Sequence, residues 1–213
     1  MYALGSQPGK GVSDGETERD DLSISPSRFD REASMPSLRL KPTEGVVGTD
    51  VTLIGSGFRP NVGYRIQFED EWTRPGTTTN RGTFVIQVRV SPLPYGEQDV
   101  TAFSQAAQQL AHATFKVLPE VTRVEPTEVA VGGKVTVSGT GFGSAEPITV
   151  RLGNKDVPFD QETKTRADGT FTVTFAVTLE LASTAPEPIT VRGQNTGASA
   201  HSREKIFIAP VGR

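Results

Sequence analysis

The chain is poor in side chains that carry reaction chemistry. It has no cysteine, so thiolate catalysis, disulfides and Cys-ligated metal sites are excluded. It has two histidines, His112 and His201, and neither has an acid or nucleophile at motif spacing; both read as exposed loop residues. The densest polar cluster is Glu69-Asp70-Glu71-Trp72, which sets three carboxylates beside the only tryptophan. Hydrolysis would need a second, positioned carboxylate across a cleft, and none is signalled. The cluster therefore reads first as a solvated acidic loop with Trp72 packed on an edge of the fold or on a neighbour. Its second reading is a surface ligand contact, sugar-binding or calcium-binding, with the Trp72 ring available to stack on a pyranose. Asp156, Asp160 and Glu162 lack the spacing of a calcium loop.

Two glycine clusters resemble phosphate loops and fail on context. Gly139-Thr140-Gly141-Phe142-Gly143 would need a helix after it to hold a pyrophosphate, but Ser144-Ala145-Glu146-Pro147 leads into another strand pattern. Gly5-Ser6-Gln7-Pro8-Gly9-Lys10-Gly11 is a residue short, lacks Ser or Thr after the lysine, and has no flanking strand or helix. These residues argue for a non-enzymatic protein with no cofactor and no metal.

The elements that would position such residues read as strands. Gly (22) and Pro (15) are frequent, as in turn-rich β structure. A period of two marks Val51/Leu53, Tyr64/Ile66/Phe68, Phe84/Ile86/Val88/Val90, Val100/Ala102 and Phe115/Val117. The same period returns in Val135/Val137, Ile148/Val150/Leu152, Phe171/Val173/Phe175/Val177, Ile189/Val191 and Ile206/Ile208. One ambiguous stretch, Phe103 to Ala113, has a composition that favours a helical turn and is expected to be a hairpin connection with local helicity at most.

The second set is a copy of the first. Lys41-Pro42-Thr43-Glu44 through Gly55-Ser56-Gly57-Phe58 recurs as Glu125-Pro126-Thr127-Glu128 through Gly139-Thr140-Gly141-Phe142, at a constant offset of 84. Gly82-Thr83-Phe84 recurs as Gly169-Thr170-Phe171 at an offset of 87, and Pro119 as Pro210 at 91. The drift implies longer loops in the second copy. Pro-Thr-Glu-Gly, then Gly-Thr-x-Val-Thr, then Gly-x-Gly-Phe resemble the opening of IPT/TIG domains, and Gly-Thr-Phe with a closing apolar-x-apolar-x-Pro fits as well. That resemblance covers both copies and implies an all-β chain of two tandem immunoglobulin-like sandwiches, at residues 38–119 and 120–213. The glycines are expected to be backbone devices, Phe58 and Phe142 to cap the core ends, and Pro42 and Pro126 to sit where strands enter from a linker. Glu120 to Arg123 reads as a short linker between the copies.

Residues 1–37 form a distinct acidic arm, expected to be extended. Seven acidic side chains there face four basic ones, a balance of −3 that equals the net charge of the whole chain. No apolar period would let this arm bury itself alone. Its anchors toward partners are Tyr2, Leu4, Leu22, Ile24 and Phe29; Leu22-Ser23-Ile24 and Phe29 suit docking on a neighbour or adding a strand to its sheet. A net charge of −3 disfavours nucleic acid, no stretch is apolar enough to span a membrane as a helix, and the first ten residues lack the pattern of a secretory leader. The expected role is an interaction subunit whose partners are other protein subunits, including copies of itself, on a virion as a capsid or tail decoration. The alternative is an extracellular surface or filament adhesion module, with a cell-surface glycan contacted through Trp72.

Overall fold

A computed structural model describes residues 35–209 apart from 70, 73–74, 105–107 and 160–161. The expected alternation is realised as β strands: in β3 (Asp50–Ser56) Val51, Leu53 and Gly55 point inward, and in β12 (Lys134–Thr140) Val135, Val137 and Gly139 do. In the first copy β1 (Ser37–Lys41), β3 and β7 (Phe84–Arg89) make a three-stranded sheet in the order β1-β3-β7. It faces a sheet of order β2-β9-β8-β4-β5, built from β2 (Glu44–Gly45), β4 (Gly63–Phe68), β5 (Glu71–Trp72), β8 (Gly96–Ser104) and β9 (Gln109–Val117), with β6 (Gly76–Thr77) pairing β4.

The second copy repeats this order except at β6, where only an isolated bridge between Pro147 and Lys164 corresponds. β10 (Glu120–Glu125), β12 and β15 (Phe171–Ala176) form one sheet. β11 (Glu128–Ala130), β13 (Ile148–Leu152), β14 (Lys155–Asp156), β16 (Glu187–Gly193) and β17 (Ser199–Ala209) form the other, in the order β11-β17-β16-β13-β14. Each pair of sheets encloses its own apolar core, one centred on Leu53, Ile66, Val100 and Phe115, the other on Val137, Phe142, Ile189 and Ile206. The chain is thus two tandem immunoglobulin-like β-sandwiches.

Three expectations need correction. Glu120 to Arg123 is not a linker but the start of β10, paired to β12 with Val121 opposite Gly139. A bulge at Thr122 lets Val121 and Val124, three residues apart, both reach the core, so the strand hides from a period-two reading. Pro42 and Pro126 do not sit at linker entries; each follows the first strand of its sandwich through a cis peptide bond. There the chain leaves one sheet and joins the facing one as β2 or β11, parallel to β9 or β17. His112 and His201 lie in strands β9 and β17 rather than in loops. The Phe103–Ala113 stretch is the expected hairpin connection, between β8 and β9, with Phe103 opposite Leu110.

The repeated motif has one physical explanation in both copies. Gly55 lies opposite Phe84 and Gly139 opposite Phe171; a Cβ on either glycine would stand 2.1 or 2.4 Å from the ring that crosses it. The Phe58 N–H donates to the Gly82 carbonyl at 3.1 Å, and the Phe142 N–H to the Gly169 carbonyl at 3.1 Å. Gly-x-Gly-Phe and Gly-Thr-Phe are therefore two halves of one clasp, with the rings of Phe58 and Phe84 at 5.4 Å and those of Phe142 and Phe171 at 5.2 Å. A buried threonine outside the motif closes the same end. Thr78 Oγ1 donates to the Arg59 carbonyl and Thr165 Oγ1 to the Gly143 carbonyl, while accepting the N–H of Val62 or Glu146.

The sandwiches meet at a tight junction, with Leu118 and Pro119 alone between β9 and β10. The Tyr95 N–H donates to the Phe142 carbonyl at 2.8 Å, and Tyr95 packs on the second core. A Cβ on Gly141 would meet the Leu118 carbonyl at 2.3 Å, and one on Gly169 would meet Pro94 Cα at 2.8 Å. The clasp glycines of the second copy thus also seat the first.

Candidate interaction site

Superposing the two copies by sequence exposes one structural difference. Trp72 corresponds to Asp156 at an offset of 84, while Phe84 corresponds to Phe171 at 87, so the crossover from β14 to β15 is three residues longer than that from β5 to β7. In the second copy this crossover supplies Val157, buried, and Phe159, half-buried, two residues apart. The Val157 N–H donates to the Val150 carbonyl at 2.9 Å, and the Phe159 ring lies edge-on to Phe175 at 6.2 Å. They close the side of the sandwich between edge strands β14 and β15.

The first copy has Thr73 and Pro75 at the corresponding sequence positions. Here an open slot of about 200 Å³ remains between edge strands β5 and β7. Phe68, Val88 and Leu93 line it, and Glu71, Trp72, Arg89 and Ser91 form its mouth. The consequence is visible along β7, where Ile86 and Val88 are only half-buried, whereas Val173 and Phe175 of β15 are fully buried. Trp72 stays 53% exposed, and Ser91 Oγ donates to Glu71 Oε2 at 2.6 Å across the mouth. Arg89 takes part in none of the ion pairs among the described residues. An apolar floor, an aromatic wall and unpaired strand edges suit an extended peptide whose side chains enter the slot.

Trp72 is thus the sequence-expected site residue that the structure places in a recess. The others, Tyr2, Leu4, Leu22, Ile24 and Phe29, lie outside the described residues. Neither histidine is near the slot. His112 Nδ1 and Thr101 Oγ1 lie 3.0 Å apart, as do His201 Nδ1 and Thr190 Oγ1 at 2.8 Å, so the pair is another repeated cross-strand feature on exposed sheet faces. Asp156 pairs with Arg151 at 2.9 Å and Glu162 with Lys164 at 2.9 Å. Among the described residues, no three His, Cys, Asp or Glu side chains group as metal ligands, and no helix is long and apolar enough to cross a membrane.

One ionisable group is deeply buried and was not singled out by its sequence context. Glu146 is 1% exposed. Its Oε1 accepts from the Gly143 N–H at 2.5 Å, its Oε2 from the N–H groups of Asn195 and Thr196 at 3.0 Å, and the Thr196 hydroxyl reaches both oxygens. Burial works to raise its pKa, but the donors of Thr196, Gly143 and Asn195 outweigh it and hold the carboxyl below the ordinary glutamate range. A carboxylate so fully satisfied is a poor proton acceptor, and it serves to tie the loop before β13 to the β16–β17 turn. A second recess, an open trough on the β10-β12-β15 face, is walled by Thr136, Ser138 and Thr172. Its hydroxyls are already paired, Thr136 with Thr174 at 2.9 Å and Ser138 with Thr172 at 3.0 Å.

No family model matches the chain, and no curated protein matches it. Solved structures do resemble it in strand architecture. The D0–D1 domains of intimin are 14% identical, with 80% of this chain and 97% of that one covered and a TM-score of 0.31. A tetra-tandem repeat from the extending region of a large adhesion protein is 17% identical, covering 81% and 49%, with a TM-score of 0.37. The Yersinia pseudotuberculosis adhesin InvE is 11% identical, covering 80% and 58%, with a TM-score of 0.35. Identities this low and superpositions this loose carry no argument about activity or partner.

Proposed function

We propose that this protein is a non-catalytic interaction module of a cell surface or surface filament, in which two interlocked sandwiches set a fixed span and the slot beside Trp72 makes the contact. The observation that supports this is the asymmetry of the repeat: one copy closes its side with Val157 and Phe159, and the other leaves the same side open and lined with apolar groups. A spacer alone would have no use for that opening. The likeness of the motifs to IPT/TIG repeats, which serve as stalks and spacers in bacterial surface proteins, supports the same setting. The virion role expected from residues 1–37 rests on side chains outside the described residues, and the surface role is the one advanced here.

The slot favours a peptide over a sugar. Its floor is apolar, and the Glu71 carboxylate that would receive sugar hydroxyls is engaged by Ser91. Antibody labelling of intact source cells tests the reading: the protein is expected at the surface and removed by external protease. Labelling that appears only after lysis would contradict it.

A further inference from the structure

We infer that the slot between β5 and β7 takes one aromatic side chain from an extended partner peptide, in the pattern aliphatic-x-aromatic. This rests on the reading of the slot as an interaction site and names the chemistry of its ligand.

The second sandwich supplies that pattern to itself. In Val157-Pro158-Phe159 the two outer side chains pack on the core and Pro158 between them is exposed, the in-out-in alternation of an extended segment. The Phe159 ring seats edge-on against Phe175 at 6.2 Å. The strand registers identify what stands in the place of Phe175 in the first sandwich. Val135 is opposite Phe175, and Val51, its counterpart at an offset of 84, is opposite Val88. The first copy therefore lacks two rings that the second has: Pro75 stands at the sequence position of Phe159, and Val88 at the register position of Phe175.

The space left suits one ring. Phe68, Val88 and Leu93 present apolar surface to it. Its volume of about 200 Å³ falls short of the ~300 Å³ at which small-molecule sites begin, and fits a single side chain held in place by its own main chain. That hold is available, because β7 is paired on one side only, by β3. A peptide that bonds along the free edge of β7 gains affinity from its main chain, and the slot then selects the side chain that enters.

Titrating the full-length protein with a blocked peptide of the sequence Lys155–Phe159 tests this. The peptide has no tryptophan, so a shift of emission to shorter wavelength reports Trp72 at the slot mouth. Saturable binding is expected, with nuclear Overhauser contacts from the peptide ring to the methyl groups of Val88 and Leu93. Replacing the phenylalanine of the peptide by alanine is expected to weaken binding at least about 30-fold. Val88→Thr keeps the side-chain shape and sets a hydroxyl on the slot floor; with its unfolding transition intact, it is expected to bind the peptide at least about fivefold more weakly. Absence of saturable binding overturns the inference, as do equal affinities for the two peptides or ring contacts to methyl groups away from the slot. If it falls in any of these ways while antibody still labels intact cells, the surface reading stands without it.

Discussion

At the scale of single residues, the two most informative groups are a carboxylate and a glycine. Glu146 is buried among donors, so its charge is stabilised only while they all point at it. Glu146→Gln places an amide N–H₂ among N–H groups and is expected to cost about 2–3 kcal/mol at neutral pH, read from denaturant midpoints. The sign with pH follows from the depressed folded value. The contribution is complete above the unfolded glutamate value, about 4.3, and is lost as pH falls through the folded one. The wild type is therefore expected to lose more stability on acidification than the variant, and equal slopes would deny Glu146 this role. Gly169 and Gly197 share a φ of +72°, but a Cβ on Gly197 meets open space while one on Gly169 meets the Phe142 carbonyl at 2.3 Å. Gly197→Ala is expected to cost about 1 kcal/mol, the backbone share alone. Gly169→Ala should cost markedly more, and equal losses would remove the clasp as the reason for that glycine. The clasp was legible in the sequence because its glycines and phenylalanines recur in register. Glu146 was not, because a glutamate between Ala145 and Pro147 looks like any solvated loop acid until the β16–β17 turn is folded over it.

At the scale of elements, the strands with strict alternation were readable, and those with a defect were not. β12 and β15 announce themselves through Val135/Val137 and Phe171/Val173/Phe175. β10 does not, because its bulge puts Val121 and Val124 three residues apart. The slot is harder still, since it is a missing piece of chain whose only trace is the change of offset from 84 to 87. β7 carries the measurable consequence. Val90, just past its end, is buried, whereas Val88 faces the slot half-covered. Val90→Ala is expected to cost about 2 kcal/mol and Val88→Ala no more than about 1, from the same methyl groups in two surroundings. Equal costs in equilibrium unfolding would mean the slot is closed in solution.

At the scale of the whole molecule, duplication alone would make two beads on a string, but the junction joins them. Tyr95 lies on the second core and its N–H holds Phe142, the residue that plugs that core. Calorimetry is expected to show one cooperative transition for the wild type and two for Tyr95→Ala, whose ring no longer couples the sandwiches. Two transitions already present in the wild type would contradict that coupling.

The proposed contact is an extended peptide in the slot beside Trp72, which requires the β7 edge of the first sandwich to be open, and amide hydrogen exchange along β7 tests that most directly. In the sheet β1-β3-β7, only one side of β7 is paired, by β3. In the isolated protein the amides on its other side are expected to exchange freely while those bonded to β3 are protected. Protection of both sets alike in the isolated protein would mean that the slot is already closed and would contradict the account.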